Sequence, residues 1–268
     1  MTSPPRELTP DPSIRLDGVR ALVTGATSGL GLAMAQALTD AGARVALTGR
    51  DAERAQQAAE AVGGGALGVR MDVRDEAEVT DMVGEAWSRL GGIDLLVNNA
   101  GIGTRTVNPR FLTEPQPFWD VTPDGFRAVV ETNLTGYFLL AREVVPRMLE
   151  SGGGRVVNVT VNEATMTRRG NVPYGPSRAG GDALSRVMAA DLAGTSVAVN
   201  QLLPGGITLT GMVPDEALTD ELRARSLDPA VMGPPIVWLA SPEADGVHDE
   251  RIVAVEFAEW LAVRGTRP

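Results

Sequence analysis

Short runs rich in aliphatic and β-branched residues recur along the chain at Val19–Thr24, Arg44–Thr48, Ala66–Val73, Ile93–Asn98, Arg155–Thr160, Ser196–Leu203 and Arg251–Val255. Within each run the apolar character is continuous rather than alternating, as strands buried on both faces of a parallel sheet require. Between the first two runs, Leu30, Ala33, Met34, Ala37, Leu38 and Ala41 return at helical spacing, and Gly42 closes the helix. Asp51 reads as the N-cap of a helix over Ala52–Val62, and Asp75 caps another that runs to Leu90. This alternation predicts an α/β fold. It is a doubly wound parallel sheet of about seven strands in a three-layer α/β/α arrangement with right-handed crossovers.

Two segments interrupt the rhythm. Gly101 to Asp124 carries Pro109, Pro115, Pro117 and Pro123, and six of the 11 aromatic residues (Phe111, Phe118, Trp119, Phe126, Tyr137, Phe138) fall in it or just beyond. Gly205 to Pro229 follows the sixth run. Both come after strand C-termini, the edge where open α/β sheets take ligands, so both are expected to be lids or binding loops. Residues 1–17, with four prolines and no periodicity, are expected to be a mobile tail; 18–262 form the domain and 263–268 a second tail.

Charge and composition exclude several classes of function. With 24 basic and 34 acidic residues the net charge is −10, which disfavours binding to nucleic acid. No run is long and apolar enough to span a membrane, and the first residues lack a signal core, so a cytoplasmic protein is expected. The chain has no cysteine, which removes thiolate catalysis and zinc–thiolate sites. A single histidine, His248, leaves little room for a serine triad or a transition-metal site, so no metal is expected; His248 itself reads as a solvated loop residue.

Glycine, 31 residues in 268, carries the positive signal. Thr24-Gly25-Ala26-Thr27-Ser28-Gly29-Leu30-Gly31 joins the first strand to the first helix. There Gly25 allows a tight turn, Gly29 lets backbone amides approach a pyrophosphate, and Gly31 lets helix pack on strand. The helix N-terminus adds aligned N–H groups and a positive end, the arrangement of a Rossmann-like nucleotide site. At the end of the second strand stands Arg50, with no acid before Asp51. A basic residue there suits the 2′-phosphate of NADP(H) better than the free hydroxyl of NAD(H).

With those residues in place, positions 18–257 resemble the short-chain dehydrogenase/reductase family. Asp72-Val73 is similar to its adenine-contacting pair, and Asn98-Asn99-Ala100-Gly101 to the motif beside its cofactor. Asn133 matches the asparagine that holds a catalytic water, and Tyr174 the catalytic tyrosine. Pro204-Gly205 matches the loop that meets the nicotinamide, and Thr208 resembles the threonine that contacts the carboxamide. The resemblance implies that a lysine four residues after the tyrosine lowers the phenol's pKa and binds the ribose. It implies a serine 13 residues before the tyrosine on the substrate oxygen, and a homotetramer or homodimer formed through helix faces around Leu134–Met148 and Ala179–Ala193.

The chain departs from that pattern twice. Arg178 stands in the lysine position, and Val161 stands where the serine belongs. Thr160 and Asn162 flank Val161, and either can donate a hydrogen bond in its place, although strand alternation turns Thr160 to the opposite face. Arg178 keeps the positive charge but cannot relay a proton, and its fork can bridge Tyr174 to an acid such as Glu163. The expected function is therefore an NADP(H)-dependent oxidoreductase for a carbonyl or hydroxyl of a bulky apolar small molecule, aromatic or polyketide-like in class. The catalytic set is Tyr174, Arg178, Asn133 and either Asn162 or Thr160. The alternatives are a non-redox dehydratase, isomerase or cyclase using Tyr174 and Arg178, and a catalytically silent subunit. Arginine after the tyrosine also resembles the halohydrin dehalogenases, but those relatives lack the glycines kept here.

Overall fold

In the computed structural model, residues 9–212 and 219–264 are described. Seven parallel strands form one sheet in the order β3-β2-β1-β4-β5-β6-β7. They are β1 (Arg20–Val23), β2 (Arg44–Gly49), β3 (Leu67–Arg70), β4 (Leu95–Asn98), β5 (Gly154–Val159), β6 (Val197–Leu203) and β7 (Arg251–Val253). Each lies within a few residues of its predicted run. Continuous burial explains the continuous hydrophobicity: every residue of β4 is buried, as are Ala21–Val23 of β1.

Helices cover both faces. On one side α1 (Gly29–Asp40), α2 (Ala52–Val62) and, late in the chain, α9 (Gly233–Ala240) and α10 (Phe257–Arg264) pack around Met34, Leu38, Ile236 and Phe257. On the other, α3 (Glu76–Leu90), α5 (Gly136–Glu150) and α7 (Tyr174–Leu192) close over Val83, Leu140, Val144 and Leu192. Shorter helices α4 (Pro123–Val130), α6 (Glu163–Met166) and α8 (Asp220–Arg225) lie in the connections. Asp51 and Asp75 cap α2 and α3 as predicted, accepting from the N–H of Arg54 and Glu78. Between α4 and α5 the helix widens into a π turn at Glu131–Thr135, which buries Asn133.

Three expectations need correction. The segment before residue 18 is not a tail throughout, because Leu16 is 1 % exposed and its N–H bonds the Ala41 carbonyl. An isolated leucine among prolines carries no periodicity to reveal this; residues 1–8 lie outside the described part. At the other end α10 runs on to Arg264, whose guanidinium pairs with Glu250 at 3.6 Å, while 265–268 are again outside it. His248 is half-buried rather than solvated: one ring nitrogen accepts from Val199 N–H and the other is 2.8 Å from the Ala189 carbonyl. It ties β6 to α7. No described helix is long and apolar enough to cross a membrane.

Candidate active site

The C-terminal ends of β1, β2, β4, β5 and β6 open onto one cleft of about 1170 Å³. It lies at the switch point between β1 and β4, where connections leave the sheet in opposite directions. Gly25, Thr27, Ser28, Gly29 and Leu30 form one wall. Gly25 has φ +60°, and a Cβ there would stand 2.6 Å from the Ala100 Cα. A Cβ on Gly31 would overlap the Asn99 amide, which instead donates to the Thr24 and Gly25 carbonyls at 2.9 and 3.1 Å. The Thr24 hydroxyl accepts from the N–H groups of Asn99 and Ala100. The sequence motif is thus one hydrogen-bonded unit.

Ser28 is the N-cap of α1 but makes no side-chain cap bond, and the first turn of α1 holds no acid. Unlike α2 and α3, this helix start turns uncompensated N–H groups and its positive end to the cleft, a preformed anion site. Farther along, Arg50, Asp51, Arg54, Asp72 and Val73 line the wall beyond β2 and β3. Both acids are occupied: Asp51 caps α2 at 2.8 Å, and Asp72 takes a two-pronged contact from Arg74 at 3.0 and 2.6 Å. The Arg74 hydrogen bonds hold the Asp72 carboxyl below the usual carboxylate range against the effect of burial. Arg54 was not anticipated as a lining residue; its spacing one helical turn after Arg50 was the available signal.

At the opposite end Tyr174 opens α7 and lines the cleft, half-buried. Arg178, one turn on, is 4 % exposed. Its Nη1 donates to the Tyr137 hydroxyl at 2.7 Å and to the Val159 carbonyl at 2.9 Å. The guanidinium carbon lies 5.4 Å from the Tyr174 ring centre and 5.7 Å from that of Tyr137. Burial works against its charge, but the two phenols outweigh burial and raise its pKa above the ordinary arginine value. Glu163, the imagined partner, is exposed on α6 and makes no bond to Arg178. Tyr137 follows no motif, although it is one of only two tyrosines in the chain. A second overlooked signal lies in composition: all 24 basic residues are arginines, so the chain contains no lysine to place at 178.

Around Val161 the structure decides between the flanking residues. The Thr160 hydroxyl is bonded to Asp182, which also accepts from Arg251 at 3.2 Å, so Thr160 does not supply the missing serine hydroxyl. Strand alternation points it toward α7. Asn162 lines the cleft and donates one amide hydrogen to the Gly205 carbonyl at 3.1 Å. The Asn133 side chain is held by three hydrogen bonds: it donates to the Ile102 carbonyl and to Ser177 Oγ and accepts from Ile102 N–H. Pro204, Gly205 and Thr208 line the cleft, with Gly205 at φ +96°.

The long loop after β4 divides in two. Gly101–Thr106, Phe111 and Leu112 line the cleft. Phe118 and Trp119, 66 % and 72 % exposed, stack edge to face outside it. Of the six aromatics expected to surround a substrate, only Phe111 lines the cleft, and Tyr137 lies beneath its floor. Residues 213–218 of the second loop lie outside the described part.

The sequence model for the short chain dehydrogenase family matches residues 20–221, and the chain belongs to that family. The 3-oxoacyl-(acyl-carrier-protein) reductase of Vibrio cholerae is 32 % identical over 248 residues, covering 89 % of this chain and 96 % of that protein. The 7alpha-hydroxysteroid dehydrogenase of Escherichia coli is 31 % identical, covering 93 % and 92 %. Among solved structures, the 3-ketoacyl-(acyl-carrier-protein) reductase of Brucella melitensis complexed with NADH superposes with a TM-score of 0.78. It shares 29 % identity over 89 % of this chain and 97 % of that one.

Proposed function

We propose that the chain is an NADP(H)-dependent oxidoreductase for a carbonyl or hydroxyl group of a bulky, largely apolar small molecule. The observation that carries the reading is the pairing of Tyr174 with the buried Arg178 at the end of a cleft whose other end is the uncapped start of α1. A dinucleotide fits these walls: the amides of the Gly25–Leu30 turn would hold its pyrophosphate, and Arg50 with Arg54 its 2′-phosphate. Asp72, Val73, Asn99, Ala100 and Gly101 would line the adenosine and ribose side, and Pro204, Gly205 and Thr208 the nicotinamide side. When bound, the nicotinamide supplies or accepts a hydride. The chain's own part is proton transfer and orientation. Tyr174 holds the proton that the carbonyl oxygen needs, and the Arg178 guanidinium lies against its ring, 5.4 Å from the ring centre. The free amide hydrogen of Asn162 stands in for the serine hydroxyl, and Asn133 braces Ile102 and Ser177 around the site. Ile102, Phe111, Leu112, Val161 and Met212 give the substrate end its apolar walls. Helix faces on α5 and α7 would join copies of the chain in a homodimer or homotetramer.

Val161 favours a second reading, in which nucleotide binding persists without hydride transfer, in a non-redox enzyme or a silent subunit. NADPH binding and NADPH oxidation over a panel of carbonyls, measured for the wild type and for Val161→Ser with Arg178→Lys, separate the two. Turnover by the wild type supports the oxidoreductase. Tight binding without turnover, restored in the double variant, overturns it.

A further inference from the structure

Tyr137 has no place in the family pattern, yet its hydroxyl takes a hydrogen bond from the Arg178 guanidinium. It sits on α5, 2 % exposed, with its hydroxyl donating to the Val159 carbonyl at 3.1 Å and accepting from Arg178 Nη1 at 2.7 Å. Nη1 reaches the same carbonyl at 2.9 Å, so phenol, guanidinium and strand end close a three-membered ring of hydrogen bonds. Elsewhere the guanidinium meets Tyr174, and Nε is buried with no hydrogen-bond partner among the described residues. On the cleft side a Cβ at position 101 would overlap Nη2, so Gly101 leaves the space that the fork occupies. A phenylalanine at 137 would fill the same volume but leave a buried cation short of one acceptor, which is the costly way to break such a contact. The charged and titratable groups facing the pair are Tyr174 and Asp182, both from α7. Asp182 is already committed to Thr160 and Arg251.

We propose that Tyr137 is a positioning residue: its phenol oxygen and the Val159 carbonyl hold the Arg178 guanidinium against the Tyr174 side chain, which is what lets an arginine serve where the family pattern has lysine. Released from Tyr137, the guanidinium moves past Gly101 toward the water of the cleft and away from Tyr174. This rests on the reading of Tyr174 as the acid, but its test does not depend on turnover.

The readout that follows Arg178 itself is its accessibility. Phenylglyoxal labels guanidinium groups that reach water, and peptide mass mapping reads position 178 apart from the other arginines. With Arg178 4 % exposed in the wild type, its labelling is expected to be slow. In Tyr137→Phe it is expected to be about tenfold faster or more, with labelling of the other arginines unchanged. An unchanged rate at position 178 in a folded Tyr137→Phe overturns the proposal. Should Tyr137→Phe fail to fold, nitrogen-15 arginine spectra of the wild type decide: a held guanidinium shows a slowly exchanging Nη signal that Arg178→Met removes, and the lack of such a signal is equally fatal. If Arg178 becomes accessible as expected while the wild type turns over no carbonyl, the functional reading fails and the positioning role stands. If NADPH is oxidised while the labelling rate stays put, the reverse holds.

Discussion

At the scale of single residues, the site is governed by which polar groups are already engaged. Asp51 and Asp72 border the cleft beyond β2, yet one caps a helix and the other is gripped by Arg74, which leaves Arg50 and Arg54 as the lining charges proposed to meet a 2′-phosphate. Replacing both arginines with alanine is expected to weaken NADPH binding about tenfold or more and to leave NADH binding little changed. Fluorescence titration with each nucleotide measures this, and equal losses for both would remove the NADP(H) preference. Tyr137 makes a prediction about stability. Burial raises its phenol above the ordinary value despite the pull of Arg178. A group with a raised folded-state pKa stabilises the fold fully below its unfolded value, about 10, and that contribution is lost as pH rises through the folded value. The wild type should therefore lose stability above about pH 10 more steeply than Tyr137→Phe. Urea unfolding across that range gives the two slopes. None of these pairings could be read from the sequence, because Arg74, Tyr137 and Asp182 reach their partners only through side-chain direction in the folded state.

At the scale of elements, α1 and α2 begin alike in sequence and differently in chemistry. Asp51 completes α2 from within, whereas the Ser28 side chain leaves α1 open to the cleft. Asp51→Ala is expected to cost about 1 kcal/mol of stability. Ser28→Ala should cost little stability and weaken nucleotide binding instead. Urea unfolding and NADPH titration on the two variants test the contrast, which disappears if Ser28→Ala destabilises as much as Asp51→Ala. The helix caps, the glycine turn and all seven strand positions were legible to within about three residues, since each rests on a local pattern. The π turn at Glu131–Thr135 was not. It lies where α4, α5 and α7 meet, and its Asn133 amide braces Ile102 and Ser177. The loop after β4 was rightly expected to border the cleft. Its aromatic content misled, because composition alone does not say that Phe118 and Trp119 point away.

At the scale of the molecule, the arginine-only composition gives Arg178 a wider context. All 24 basic side chains are guanidinium groups, and many form surface ion pairs such as Arg142–Glu76 and Arg186–Asp249. Arginine at 178 belongs to that general usage, and Tyr137 is its local accommodation. Assembly leaves a further test. Phe138 on α5 and Val187 on α7 are 46 % and 58 % exposed, on the helices through which association is proposed. Changing both to glutamate should convert the oligomer to monomer in sedimentation velocity, and a wild type that sediments as a monomer would dismiss the proposal. Side-chain amine cross-linkers are blind in a chain without lysine, so hydrodynamic mass is the proper readout. The sequence by itself determined the strand order class, the three layers and the glycine-built phosphate wall, because backbone periodicity and conformational freedom are local properties of the chain. Only the tertiary structure decided that Leu16 belongs to the core, that Thr160 serves Asp182, and that the charge on Arg178 is held between two tyrosines from different helices. Those outcomes depend on groups far apart in sequence competing for the same few hydrogen bonds.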